Sequence, residues 1–257
     1  MRVPRRVTPD EQIDLVDHLD ELRSRIIIVL AVLAVAMSVL FWKSGEILHF
    51  LSQPIRDQIP HWEGFLVLSP LDQIMTSISI AIYGALIITL PVLTYQIYAF
   101  ILPAFPEEHH KHIKPMVWSV PILFLLGVVF AWYLVVPPAF DFLINFNQEQ
   151  FNVQLRAKEY IQFVLLTLLA MGIVFEMPMV MMTLGRLGVV SSALMKRHWR
   201  ISIVALAVLA MLLPGVDPIS YIVEFIPLLV LYGLSYFLVK LVEPKPEPTA
   251  PPEPNPS

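Results

Sequence analysis

The chain has 257 residues, of which 57% are hydrophobic and only 15% charged, and its mean hydropathy is +0.70. A soluble domain carries about a quarter charged residues, so the excess apolar surface requires lipid as solvent. The net charge of -4, mixed in sign along the chain, makes no case for nucleic acid. The absence of cysteine excludes disulfides, thiolate catalysis and Cys-ligated metals.

The opening MRVPRRVTPDEQ has arginines but no apolar core closed by a small-residue cleavage site, so no removable signal peptide is expected. Thr8 is placed to cap a helix, Pro9 suits its first position and Glu11 completes a capping box. Ile13, Leu15, Val16, Leu19 and Leu22 form an apolar face at helical spacing, and Asp14, Asp17, Asp20 and Glu21 fill the remainder. This predicts a short amphipathic helix continuous with the first span. Its acidity is unusual beside an anionic inner leaflet and fits a basic partner; a plainly solvated face is the alternative.

Apolar runs of about 20 residues mark membrane-spanning helices. Six are read in chain order: 26–42; 74–100, with Pro91 inside; 116–136; 160–184, interrupted by Glu176 and Pro178; 201–213; and 219–239, with Glu224 and Pro227 in its first turns. The predicted fold class is therefore all-α, a polytopic membrane protein of six transmembrane helices. The last two helices are expected to be short and to thin the bilayer or lean on neighbours. The loops at 43–73 and 137–159 are long and carry Trp42, Trp62, Trp132, Tyr133 and Tyr160 at or near their boundaries, where amphipathic rings favour the headgroup level. The tail from Glu243 to Ser257 holds seven prolines and reads as disordered and polyproline-like. Three parts result: a cytoplasmic segment at 1–25, the helical domain at 26–240 and the tail at 241–257. Of the 17 Lys and Arg residues, 13 fall on the termini and even-numbered links and four, Lys43, Arg56, Arg156 and Lys158, on the other side. By the positive-inside rule both termini are cytoplasmic.

Glu176 is the sharpest chemical feature. A carboxylate inside a span costs several kcal/mol unless paired, hydrated or protonated. Pro178 lacks an N–H and leaves the Val174 carbonyl without its helical donor, which a protonated Glu176 can satisfy. Polar glue within the bundle and a docking point facing a cavity or partner helix both remain open. Asp217 sits in a turn, where local hydrogen bonding alone explains an aspartate; Glu224 lies one to two turns into the membrane. The segment PAFPEEHHKHIK, 103–114, places Glu107 and Glu108 on the positively charged side, followed by His109, His110 and His112. The glutamates can hold guanidinium groups bidentately, or simply be solvated. No second ligand pair accompanies His109 and His112, so no metal site is expected. No zinc-protease, nucleophile-elbow or phosphate-loop motif occurs, so neither an enzyme nor a bound cofactor is expected. A proton- or ion-coupled small-molecule transporter using Glu176, Asp217 and Glu224 is the rival reading, against which stand the missing glycine-broken helix pairs and inverted repeats.

Four stretches together resemble the TatC family. HLDELR at 18–23 is similar to its H-L-x-E-L-R opening, and PVLTYQIYAFILP at 91–103 to its P-V-x-x-Y-Q-x-W-x-F-x-x-P. Phe130-Ala131 through Pro137 and FEMP at 175–178 follow, with Ser69-Pro70 and the turn from Pro214 to Asp217 in matching order. The resemblance covers about residues 10–240. It implies a concave, glove-shaped six-helix bundle in the bacterial cytoplasmic (inner) membrane. The implied role is to bind twin-arginine signal peptides and, with TatA/TatB-type single-span partners, to export folded proteins using the proton-motive force. A homo-oligomer within that complex is expected. Glu21 and Arg23 match the N-terminal motif, Phe100 the aromatic before the first loop, Glu176 the intramembrane acid and Asp217 the outer-turn acid. The family's signal-binding loop acid falls on His109 in an ungapped match, which points to Glu108 or Glu107 beside it. Tyr232-Gly233 departs from the family, which often has an acid after that aromatic.

Overall fold

The computed structural model describes residues 9–56, 62, 64–101, 107–146, 154–214 and 217–243, with side chains except at 9–19, 101 and 107–118. The expected cap at Thr8, the loop at 102–106 and the proline-rich tail at 244–257 lie outside the described residues.

Helix α1, Pro9–Trp42, unites the amphipathic segment and the first span in one element, as its unbroken periodicity predicts. Two short helices follow, α2 (Ser44–Leu51) and α3 (Gln53–Arg56). Helix α4 (Pro70–Ile101) returns across the membrane and runs on through Pro91. Helix α5 (Glu107–Phe130) passes through a π turn at Ala131–Val135 into α6 (Val136–Asn145). The fourth span is α7 (Ala157–Phe175) followed by α8 (Met177–Arg186). Then come α9 (Ser192–Arg197), α10 (Trp199–Leu212) and α11 (Pro218–Val242). Among the described residues, five segments are long and apolar enough to cross a membrane, and α10, at 14 residues, is a shorter sixth apolar helix.

Two boundaries differ from the sequence reading. The third span does not stop near 136 but continues to Asn145. In the π turn the Val136 N–H bonds to the Ala131 carbonyl, five residues back. Pro137 and Pro138 thereby occupy the first turn of a new helix, where no N–H is needed. The last helix is also longer than its apolar run. Asp217 caps it at Pro218, and it extends through Lys240 to give 25 residues, so that only α10 is short.

The buried core centres on α7, whose span is 67% buried, whereas the α1 span is only 6% buried. Helix α7 packs against α4 and α5, α8 against α11, and α1 against α4. Two glycines permit the closest approach. A Cβ at Gly127 on α5 would lie 2.5 Å from the Met171 carbonyl oxygen, and one at Gly172 on α7 would lie 2.6 Å from the Phe124 ring. The outer face of the bundle is apolar, with Val35, Ile201, Val230 and Leu212 exposed, as a lipid-facing surface requires.

The chain alternates between two ends. At one, the α2 carbonyl of Leu51 accepts a hydrogen bond from the buried Tyr160 hydroxyl at 2.6 Å. There Leu66 N–H bonds to the Leu155 carbonyl at 2.9 Å, and Asp72 at the start of α4 pairs with Arg156 at 3.5 Å. These contacts tie the two long connections together. At the other end lie the start of α1, the end of α4, the start of α5 and the end of α11.

Substituting Gly127 by Ala should lower the unfolding temperature of the purified protein, with a cost of about 1–3 kcal/mol for overpacking against the α7 backbone. Gly45→Ala, in a helix with open space around the position, should instead be neutral or stabilise by up to about 1 kcal/mol. A thermal unfolding series of both variants checks this.

Candidate functional site

The expected site residues fall into two groups, one at the end of the bundle where α1 begins and one within the membrane. At the first, α1 and α4 run antiparallel, which brings residues 21–25 beside 96–99. The Arg25 guanidinium reaches across. Its Nε and Nη2 donate to Glu21 Oε1 at 3.0 and 2.5 Å, its Nη1 donates to Gln96 Oε1 at 2.8 Å, and Nη2 also reaches the Ala99 carbonyl at 3.4 Å. Glu21 is thereby held in a fixed orientation by a bound arginine. The sequence reading named Glu21 but not Arg25 or Gln96. The (i, i+4) spacing of Glu21 and Arg25 was a signal available in the sequence, whereas Gln96 depends on helix register. Arg23 is exposed on α1.

Beneath this clasp, α1 and α4 enclose an apolar groove of about 370 Å³, lined by Leu22, Ile26, Leu30, Leu93, Ile97 and Phe100 with Arg25 at its polar edge. Phe100, matched on sequence alone, thus belongs to the same place as Glu21. Glu107, Glu108 and His109 begin α5, a few residues beyond Phe100 and at the same end; their side chains lie outside the described residues.

At the same end of the bundle, Glu243 at the end of α11 accepts from both the N–H and the hydroxyl of Ser192 at 2.6 Å. It therefore staples the last span to the start of α9. The Ser192 hydroxyl, and then its N–H, hold the Glu243 carboxylate below the usual glutamate range.

Within the membrane, Glu176 is the single residue between α7 and α8. Its N–H bonds to the Ile173 carbonyl at 3.0 Å, and its own carbonyl receives Met179 and Val180. The helix axis is thus interrupted where Pro178 removes a donor. The side chain is 5% exposed and neither oxygen has a hydrogen-bond partner among the described residues. The Thr183 hydroxyl of α8, two turns on, donates back to the Met179 carbonyl at 2.8 Å. Asp217 and Glu224 are elsewhere. Asp217 Oδ1 accepts from the Ser220 N–H at 2.8 Å and caps α11, the local bonding expected of a turn aspartate. Glu224 is wholly buried with both oxygens unpartnered among the described residues. Glu176 is not joined to either by any described contact. Among the described residues no cluster of three or more His, Asp or Glu could hold a metal.

Residues 17–227 match the family model described as Sec-independent protein translocase protein (TatC). The chain belongs to the TatC family. It is 31% identical to the Sec-independent protein translocase protein TatC of Helicobacter pylori, over 91% of this chain and 90% of that one. It is 34% identical to the TatC of Koribacter versatilis, over 89% and 86%. A crystal structure of the twin arginine translocase receptor TatC superposes with a TM-score of 0.75 at 33% identity, covering 88% of this chain and 99% of that one. The TatC-type chain is therefore a multi-pass membrane component of a protein translocase and not an enzyme. The matched range of the TatC model takes in the Glu21–Arg25–Gln96 clasp, Glu176, Asp217 and Glu224, and stops short of Glu243.

The Glu243 staple makes a pH-dependent contribution of defined sign. Because the carboxyl is held below its ordinary value of 4.5, its contribution is complete above that pH and is lost as the pH falls through the lowered folded-state value. Glu243→Gln should therefore unfold at a lower temperature than wild type at neutral pH, and the gap should close in acid. Thermal unfolding of both proteins across pH checks the convergence.

Proposed function

We propose that this protein is the signal-peptide receptor of a twin-arginine translocase, gripping the paired arginines with carboxylates at the α1/α4/α5 end of the bundle. The observation that carries the reading is the Arg25 clasp. This end of the protein already holds one guanidinium by a carboxylate and an amide oxygen, and an apolar groove begins at once beside it. An incoming peptide with two arginines and an apolar segment behind them meets the same chemistry. Fixed carboxylates suit the planar, permanently charged forks, and the groove offers an apolar surface to the apolar segment. Glu21 supplies one carboxylate, and Glu107 and Glu108, with His109 at their edge, supply the others from the start of α5. Arg23 and Phe100 border the same surface. The excess of Lys and Arg on this side supports reading it as the cytoplasmic face, with both termini in the cytoplasm, and the bacterial TatC relatives support the inner membrane as its location.

Glu176, Asp217 and Glu224 serve a different purpose. Glu176 interrupts the fourth span and offers unpartnered oxygens to a polar group on a single-span helix of the TatA or TatB type. Assembly with such partners, in a complex holding more than one copy of this chain, would drive export of folded proteins by the proton-motive force. Family membership removes the support for a small-molecule transporter.

Glu21→Ala and Glu108→Ala should each reduce photocrosslinking of a twin-arginine signal peptide by roughly tenfold or more, since a hydrogen bond to a charged group is worth about 1.5–3 kcal/mol. A Lys-Lys peptide should bind wild type more weakly. Full crosslinking to both variants would defeat the receptor assignment. Glu176→Ala should insert normally but lose partner co-purification and export; normal export would leave Glu176 a purely structural group.

A further inference from the structure

The connection from α8 through α9 to α10 carries charge of one sign. No acidic residue lies between Glu176 and Asp217, while Arg186, Lys196, Arg197 and Arg200 fall in that interval, with His198 among them. The backbone there is firmly fixed. Gly188 closes α8 at a φ of +72°, a conformation that favours glycine, and the Val189 N–H returns to the Leu184 carbonyl at 3.0 Å. Ser191 then caps α9, its hydroxyl accepting from the Leu194 N–H at 3.2 Å. On α9, Ser192 and Met195 are three residues apart and turn toward α11. Ser192 is held by Glu243, and the Met195 carbonyl accepts from the Tyr232 hydroxyl at 3.1 Å. With that face committed, Leu194, Lys196 and Arg197 are left exposed.

Helix α10 begins at once with Trp199 and Arg200, both exposed, and the Arg200 guanidinium lies 5.5 Å from the centre of the Trp199 ring. Lys196, Arg197 and Arg200 have no acidic partner among the described residues, whereas Arg25 and Arg156 are each paired with a carboxylate. The acid bound to α9, Glu243, has both oxygens engaged by Ser192. Beside the basic groups, Val189 and Leu194 are exposed apolar side chains. A segment of this kind at the end of a span lies in the membrane interface. Its apolar groups enter the acyl region, its tryptophan sits at headgroup level and its long basic side chains reach outward to phosphate.

What binds here has to be negatively charged to match three unpaired cations, and amphipathic to cover Val189 and Leu194. A free phosphate meets only the first requirement; an anionic phospholipid meets both. The shortness of α10 adds to this. Its 14 residues reach roughly 21 Å, against a hydrocarbon layer of about 30 Å, so the bilayer thins beside it and headgroups are drawn toward Arg200. We propose that the α9–α10 corner is a binding site for anionic phospholipid, with Lys196, Arg197 and Arg200 on the headgroup phosphates and Trp199 at the headgroup boundary. The Glu243 and Tyr232 contacts fix α9 to the end of α11 and so hold the basic face in place.

Because the chain has no cysteine, Val204→Cys gives a single labelling site one turn below Arg200, and Met211→Cys gives one near the far end of the same helix; the two positions are 62% and 69% exposed. Each full-length variant, labelled with bimane, is reconstituted without signal peptide in phosphatidylcholine liposomes containing dibrominated phosphatidylglycerol or dibrominated phosphatidylcholine. At Val204→Cys the anionic lipid should quench with an affinity roughly tenfold or more above that of the zwitterionic one. Adding Lys196→Gln, Arg197→Gln and Arg200→Gln together should bring that ratio to about one, since each basic group beside an anionic surface is worth about fivefold. At Met211→Cys the two lipids should quench alike. Equal quenching at Val204→Cys with the basic residues intact would overturn the site and leave this face to an acidic protein segment. A preference that survives the triple substitution, or one of equal size at Met211→Cys, would also overturn it. If the triple variant does not insert, Arg200→Gln alone decides, with an expected loss of about fivefold.

Discussion

Helix α7 is the span that lipid reaches least, and its backbone contact with α5 fixes where the other helices can lie. Gly127 and Gly172 are the means. With no side chain at either position, the Met171 carbonyl meets α5 directly and the Phe124 ring lies close against α7. Tight backbone approach of this kind is how helices associate when the surrounding solvent is as apolar as the side chains. Helices α4, α8 and α11 then assemble around the pair, and the polar groups caught between them, Glu176 among them, are those whose neighbours the assembly dictates.

Polar chemistry is partitioned by depth. At each end, several charged groups are paired or capped: Arg25 with Glu21 and Gln96, Arg156 with Asp72, Glu243 with Ser192. Inside, Glu176 and Glu224 are buried and lack a hydrogen-bond partner among the described residues. A carboxylate near water gains from a partner but does not need one, whereas a carboxylate in the hydrocarbon has to be neutralised, hydrated or bound. Unpaired acids kept at depth are therefore costly to retain, which makes them the natural places to look for work done on protons or on partner helices.

Much of the fold was legible because hydropathy is a local property. Runs of Ile, Leu and Val declare a span without reference to the rest of the chain, and the amphipathic opening of α1 merges with the first span as its periodicity required. The misread ends were those where backbone geometry outruns composition. Pro137-Pro138 looks like a stop, but the π turn before it converts the prolines into a helix start. Of the candidate site, Glu21 and Phe100 were singled out from motif and Glu176 from its depth. Arg25 was signalled by its (i, i+4) spacing from Glu21, whereas Gln96 needed the antiparallel register of α1 and α4, which sequence spacing does not encode. The complete burial of Glu224 likewise depends on which face α11 turns inward.

The sparse support of α1 has a mechanical consequence. Its span is in contact mainly with α4, steadied at one end by the Arg25 clasp and further along by Leu40 seated over Gly84. The α5–α7 pair is stiff, because its backbones already touch and leave no room to slide. At the clasped end of α1 the hydrogen bonds of Arg25 to Gln96 and to the Ala99 carbonyl cross to α4, while those to Glu21 stay within α1, so the polar tie between the two helices runs through the same guanidinium that Glu21 orients.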